Sequence, residues 1–174
     1  MKGKEAVRMH DKVNVKIVCS FCVSDLHLVT MLLPYLDKKV KEKEKFITII
    51  EKDLTQQVKL VLSRLTLNDQ SKNELLNICW TSKGTNEISK ICDNANKVTI
   101  IVNGTKDYIE AVNQNLDKLF EGLNNEIKVI NCYDITKLDD DIKDILNTHD
   151  IILNTSGEKE ISEVFEGYEK RKYA

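Results

Sequence analysis

β-Branched residues crowd the stretch Val13-Asn-Val-Lys-Ile-Val-Cys-Ser-Phe21 in partial alternation. Ser24-Asp25 then opens a run in which Leu26, Val29, Leu33, Leu36 and Val40 recur at helical spacing. This pattern predicts a strand followed at once by a helix, with Ser24 as N-cap and a kink at Pro34. The charged run Asp37 to Lys45 hands over to Phe46-Ile-Thr-Ile-Ile50, an apolar run suited to a strand covered on both faces. Helical spacing returns through Leu54, Val58, Val61, Leu62 and Leu65, with Asp53 as a cap candidate, and Asn68 to Asn73 reads as a polar connection. Leu75-Leu-Asn-Ile-Cys-Trp-Thr81 is too short for its period to separate a strand from the end of a helix, and it is read as a strand.

After Gly84, Thr85 to Asn94 reads as a short helix. Val98-Thr-Ile-Ile-Val102 is the strongest strand signal and is ended by Asn103-Gly104. Ile109, Val112, Leu116, Leu119 and Phe120 stripe a helix that Gly122 closes. Ile127 to Cys132 predicts a strand, Asp139 to Leu146 a helix, Ile151 to Leu153 a short final strand, and Glu158 to Lys170 a charged terminal helix. Strands alternating with helix-length connections assemble a mainly parallel sheet through right-handed crossovers. The predicted fold is therefore a single three-layer α/β/α domain over residues 13–174, with five to six strands, behind an N-terminal extension at 1–12. The Val98–Val102 strand is expected at its centre.

Length and charge narrow the function classes. With 174 residues the chain has room for one domain, and 41% hydrophobic residues supply its core. A net charge of -2 gives no global field for nucleic acid or an acidic membrane, and no basic helix-turn-helix stands out, so direct nucleic-acid binding is not expected. No signal-peptide core or membrane-length apolar run is present, and five cysteines make an odd count, which together predict a cytoplasmic protein with reduced thiols. Between Asp134 and Glu163 nine acids stand against three lysines. That block reads as a solvated surface, or else as a docking face for a basic partner.

The strand-to-helix turn is where a nucleotide-binding α/β domain holds phosphate, yet no glycine occurs between Gly3 and Gly84. Phe21-Cys-Val-Ser-Asp-Leu26 offers neither the glycines that turn backbone N–H groups onto a phosphate nor the lysine that follows them. Asp25 adds a negative charge there. Cys19-Ser-Phe-Cys22 has C-x-x-C spacing, but an offset of three along a strand sends the two sulfurs to opposite faces, so buried thiols are expected rather than a redox or metal pair. His27 and His149 have no nucleophile placed beside them and read as structural or surface residues. No metal, cofactor or catalytic group is expected.

In a parallel α/β sheet, ligands bind beyond the C-terminal ends of the strands. Phe21 and Cys22, Trp80, Asn103, and Tyr133-Asp134 are expected to converge there as an apolar wall with a few polar groups. Competing uses are a core position for Trp80, packing for the Tyr133 ring and helix capping for Asp134.

Three stretches resemble the MEDS domain, the methanogen/methylotroph sensory family. They are Ile17-Val-Cys-Ser-Phe-Cys22 running into Leu32-Leu-Pro-Tyr-Leu36, Lys45 to Ile50, and Asn131-Cys-Tyr-Asp-Ile-Thr-Lys-Leu138 with Ile145-Leu-Asn-Thr-His149. Phe21 and Pro34-Tyr35 match in type and spacing. Ile17 and Cys22 stand where family members carry histidine and tyrosine, and the region from Trp80 to Lys106 lacks a longer aromatic insert. The resemblance implies a RecA/KaiC-like fold with a degenerate phosphate loop. It further implies a non-catalytic sensor of small, hydrocarbon-derived apolar molecules that signals through a regulatory protein partner. The alternatives are an interaction module without a small ligand and a cryptic nucleotide-binding protein.

Overall fold

A computed structural model describes residues 14–81, 95–139 and 141–165. The expected helix at 85–94, the extension at 1–12 and the end of the expected terminal helix lie outside these residues. The strands are β1 (Val15–Cys22), β2 (Lys45–Ile50), β3 (Lys97–Gly104), β4 (Glu126–Asp134), β5 (Ile151–Asn154) and β6 (Gly157–Glu160). They form one sheet in the order β2-β3-β4-β1-β5-β6, parallel throughout except for the β5–β6 hairpin. The helices are α1 (Asp25–Lys41), α2 (Thr55–Arg64), α3 (Asp69–Asn77), α4 (Lys106–Leu119), α5 (Ile142–Thr148) and the short α6 (Ile161–Val164).

Side-chain alternation along the strands builds two cores. On one face Val18, Cys22, Ile101, Ile130 and Cys132 meet α1, α2 and α3; on the other Ile17, Cys19, Ile100, Val129 and Tyr133 meet α4, α5 and α6. Cys19 and Cys22 thus point to opposite faces of the sheet. Helix α1 supplies Leu28, Leu32, Leu33 and Leu36, all fully buried, each contributing roughly 1.5–3 kcal/mol of burial. Ser24 caps it, its side chain accepting from the His27 N–H, and the helix continues through Pro34. Leu26, expected on the buried stripe, is 38% exposed, because the face that meets the sheet is centred on Leu28 and Leu32.

Five expectations are corrected. The Val98–Val102 strand is interior, but β4 and β1 form the middle of the sheet. Leu75 to Asn77 ends helix α3, which begins where a polar connection was expected because Asn68 caps it by accepting from the Ser71 N–H. The chain then leaves regular structure and runs beside β2, where the Thr48 hydroxyl donates to the Cys79 carbonyl and the Leu54 N–H to the Trp80 carbonyl. Finally, β5 is not the last strand. Gly157, at φ 101°, turns the chain back, and Glu158 to Glu160 pair with β5 instead of starting a helix.

Candidate functional site

Helices α1 and α5, which follow the neighbouring strands β1 and β4, leave to opposite faces of the sheet. A crevice opens at the carboxyl ends of strands arranged in this way. Here it is a cleft of about 300 Å³. Four of the expected residues line it: Cys22 ends β1, Asn103 lies near the end of β3, and Tyr133 and Asp134 end β4.

Three of the four side chains are held by their own hydrogen bonds. The Cys22 thiol donates to the Tyr133 carbonyl at 3.4 Å, and the Asn103 amide donates to the Cys132 carbonyl at 3.1 Å. Asp134 accepts from the Thr136 N–H at 2.9 Å and from its hydroxyl at 2.5 Å, capping the 3-10 turn Ile135–Lys137. Those bonds, the hydroxyl's first, keep its carboxyl below the ordinary carboxylate value. Burial, reinforced by Asp134 and Asp25, pushes the Cys22 thiol up to about 11. Burial likewise raises the Tyr133 phenol and carries Cys19 to about 12. At neutral pH the carboxylate is therefore ionised, and the thiols and phenol keep their protons.

Two expected residues are elsewhere. Trp80 is not at a strand end; it is 2% exposed in the α1–α3 core, its indole N–H donating to the Leu75 carbonyl at 2.9 Å. Phe21 turns to the other face, its ring 6.0 Å from Tyr133 and 6.4 Å from Phe165. Nor is the wall apolar. Asp25, Glu51, Lys52, Lys106, Lys137 and Asp141 complete it, with Lys52 3.8 Å from Asp25 and Lys106 3.3 Å from Asp141. The charged residues following β2 and beginning α4 were legible only as helix-flanking polar positions, since their convergence is a product of the strand order.

The β1–α1 turn uses its amides internally. The Val23 N–H donates to His27 Nδ1 at 3.0 Å and the His27 N–H to the Ser24 hydroxyl at 3.1 Å. On the opposite face, His149 is 4% exposed and ends a chain of amides formed by half-buried Asn113 and buried Asn131. Asn113 donates to the Ile109 carbonyl at 2.7 Å and to Asn131 at 2.9 Å, and Asn131 donates back at 3.1 Å and reaches His149 Nε2 at 3.0 Å.

Comparison with known proteins finds no match, whether to a family model, a curated protein or a solved structure. Among the described residues, no cluster of His, Cys, Asp and Glu has a metal-binding arrangement, and no helix is long and apolar enough to cross a membrane.

Proposed function

We propose that the chain is a non-catalytic sensory or regulatory domain that binds a small polar ligand in the cleft beyond β1 and β4 and relays its presence to a protein partner. The observation that carries this reading is the cleft itself, at the switch point of the sheet, lined by paired charges and by groups whose protonation is fixed at neutral pH. A general acid or base works best with a pKa near the operating pH, and the shifts at Cys22, Tyr133 and Asp134 all move away from it. The charged wall favours a polar or zwitterionic molecule over the apolar one that the MEDS resemblance implies.

One implication of that resemblance, its fold, has support in the sheet and in the turn after β1. β1 lies inside a parallel sheet, and the turn after it lacks glycine and commits two amides to Ser24 and His27. This suits a RecA/KaiC-like sheet whose phosphate loop has degenerated. Buried, protonated Cys19, Cys22 and Cys132 suit a reducing cytosol.

The test is a thermal-shift and native mass spectrometry screen of the full chain against small amino acids, polyols and Mg-ATP. A polar compound should stabilise the chain, and Asp134→Ala together with Asn103→Ala should abolish that shift. Micromolar binding of Mg-ATP, or a stabilising compound indifferent to both substitutions, would sink the reading.

A further inference from the structure

The cleft beyond β1 and β4 sets the carboxylates of Asp25, Glu51, Asp107, Asp134 and Asp141 against the ammoniums of Lys52, Lys106 and Lys137. Part of this wall is spent within the fold. Glu51 accepts the Thr105 N–H, and Lys106 lies 3.3 Å from both Asp141 and Glu110. Other groups stay open. Asp134 gives both of its bonds to Thr136 through Oδ1, so Oδ2 has no donor among the described residues. Lys137 is exposed and pairs with no carboxylate among them. Lys52 stands 3.8 Å from Asp25, farther than the roughly 2.7–2.9 Å of a charge-assisted hydrogen bond. After the Thr136 bonds, Lys137 and Lys52 are the groups that hold the Asp134 carboxyl low, yet neither forms an ion pair with it. The two signs therefore face each other across the cleft without touching.

That arrangement selects the charge of an occupant. A simple anion meets five carboxylates against three ammoniums, and a simple cation leaves Lys52 and Lys137 unmatched. A neutral polyol forfeits both attractions. At about 300 Å³ the space is at the lower end of small-molecule sites, and Cys22 and Leu138 give it a short apolar wall.

We propose that the ligand of this cleft is a small α-amino acid, its ammonium donating to Asp134 Oδ2, its carboxylate between the Lys137 and Lys52 ammoniums, and its side chain against Cys22 and Leu138. This rests on the cleft being the ligand site proposed above, and it adds the charge pattern that the ligand must carry.

The experiment is an amide-resolved titration of the full chain with L-alanine and L-serine, compared with ethylamine, propionate and glycerol. The amino acids should bind about tenfold or more tightly than ethylamine or propionate, each of which lacks one charge-assisted contact. Asp134→Asn, which keeps an acceptor for Thr136, should weaken the amino acids about tenfold and leave propionate no weaker. Lys137→Met should weaken them and leave ethylamine no weaker. Ethylamine or propionate that equals the amino acids, amino-acid affinity indifferent to either substitution in a folded chain, or no saturable shift with alanine or serine would overturn the proposal. Glycerol binding that Asp134→Ala together with Asn103→Ala abolishes would then leave the proposed function standing, whereas a cleft that no polar compound enters would sink both.

Discussion

Glu51 Oε1, just beyond β2, accepts the backbone N–H of Thr105 at 2.9 Å and so places a carboxylate at the start of α4. The contact passes directly over Gly104. A Cβ there would lie 2.5 Å from Tyr108 Cδ1 and 2.9 Å from that same Glu51 oxygen. Gly104→Ala should cost about 1–3 kcal/mol, as overpacking does, and urea unfolding measures it. Glu51→Gly should reduce the penalty in the double mutant, whereas purely additive costs would refute the contact.

The chain of amides through Asn113 and Asn131 fixes a tautomer. The Ile109 carbonyl forces the Asn113 nitrogen toward it, which orients Asn131 so that its nitrogen faces His149 Nε2; the Ile145 carbonyl requires a donor at Nδ1. The ring is therefore neutral and protonated on Nδ1. Long-range ¹H–¹⁵N spectra should report that tautomer, and a protonated Nε2 would contradict the network. Asn131→Ala, which strips partners from both Asn113 and His149, should destabilise by about 1–3 kcal/mol.

What was legible in the sequence follows from burial. β1 to β5 announce themselves as β-branched runs because both faces are covered, and α4 shows its stripe because one face is wet. β6 has no such signal: Gly-Glu-Lys-Glu is a half-exposed edge hairpin, marked only by the Ser156-Gly157 turn. Leu75 to Trp80 misleads because its apolar residues fill a core from a helix end and an irregular segment, although Asn68-Asp69 is a helix-start signal. Cys22, Asn103, Tyr133 and Asp134 are predictable as strand ends. Glu51 and Lys106 reach the cleft only through the order of the sheet, and Trp80 is excluded from it by lying off the strands.

Lys43 adopts φ 61° immediately after the α1 cap residue Glu42. A side chain in this left-handed conformation costs about 1 kcal/mol, which glycine avoids. Lys43→Gly should therefore raise the urea midpoint at unchanged slope, and a lowered midpoint would show that the lysine makes a compensating contact.

Glu158 of β6 ties the sheet edge to α1 and β4, accepting from the Tyr35 hydroxyl at 3.0 Å with Lys128 Nζ at 2.5 Å. Burial opposes its charge, but the Lys128 and Tyr35 bonds prevail and hold the carboxyl below its ordinary 4.5. A carboxyl lowered by folding stabilises the fold above its unfolded value and loses that contribution as pH falls through the folded one. Wild type should exceed Glu158→Gln by about 1 kcal/mol at neutral pH, a modest figure for a partly exposed pair. The gap should narrow below about pH 4.5. A gap that widens on acidification would contradict the assignment.

The most direct test of the central claim is an amide-resolved titration of the ¹⁵N-labelled chain with Mg-ATP, followed by an assay for released phosphate. The β1–α1 turn, with its Val23 and His27 amides committed to His27 and Ser24, should show no saturable shift from Val23 to Leu28, and no phosphate should appear. Saturable shifts there at micromolar nucleotide, with turnover, would make the chain a nucleotide hydrolase and contradict the account.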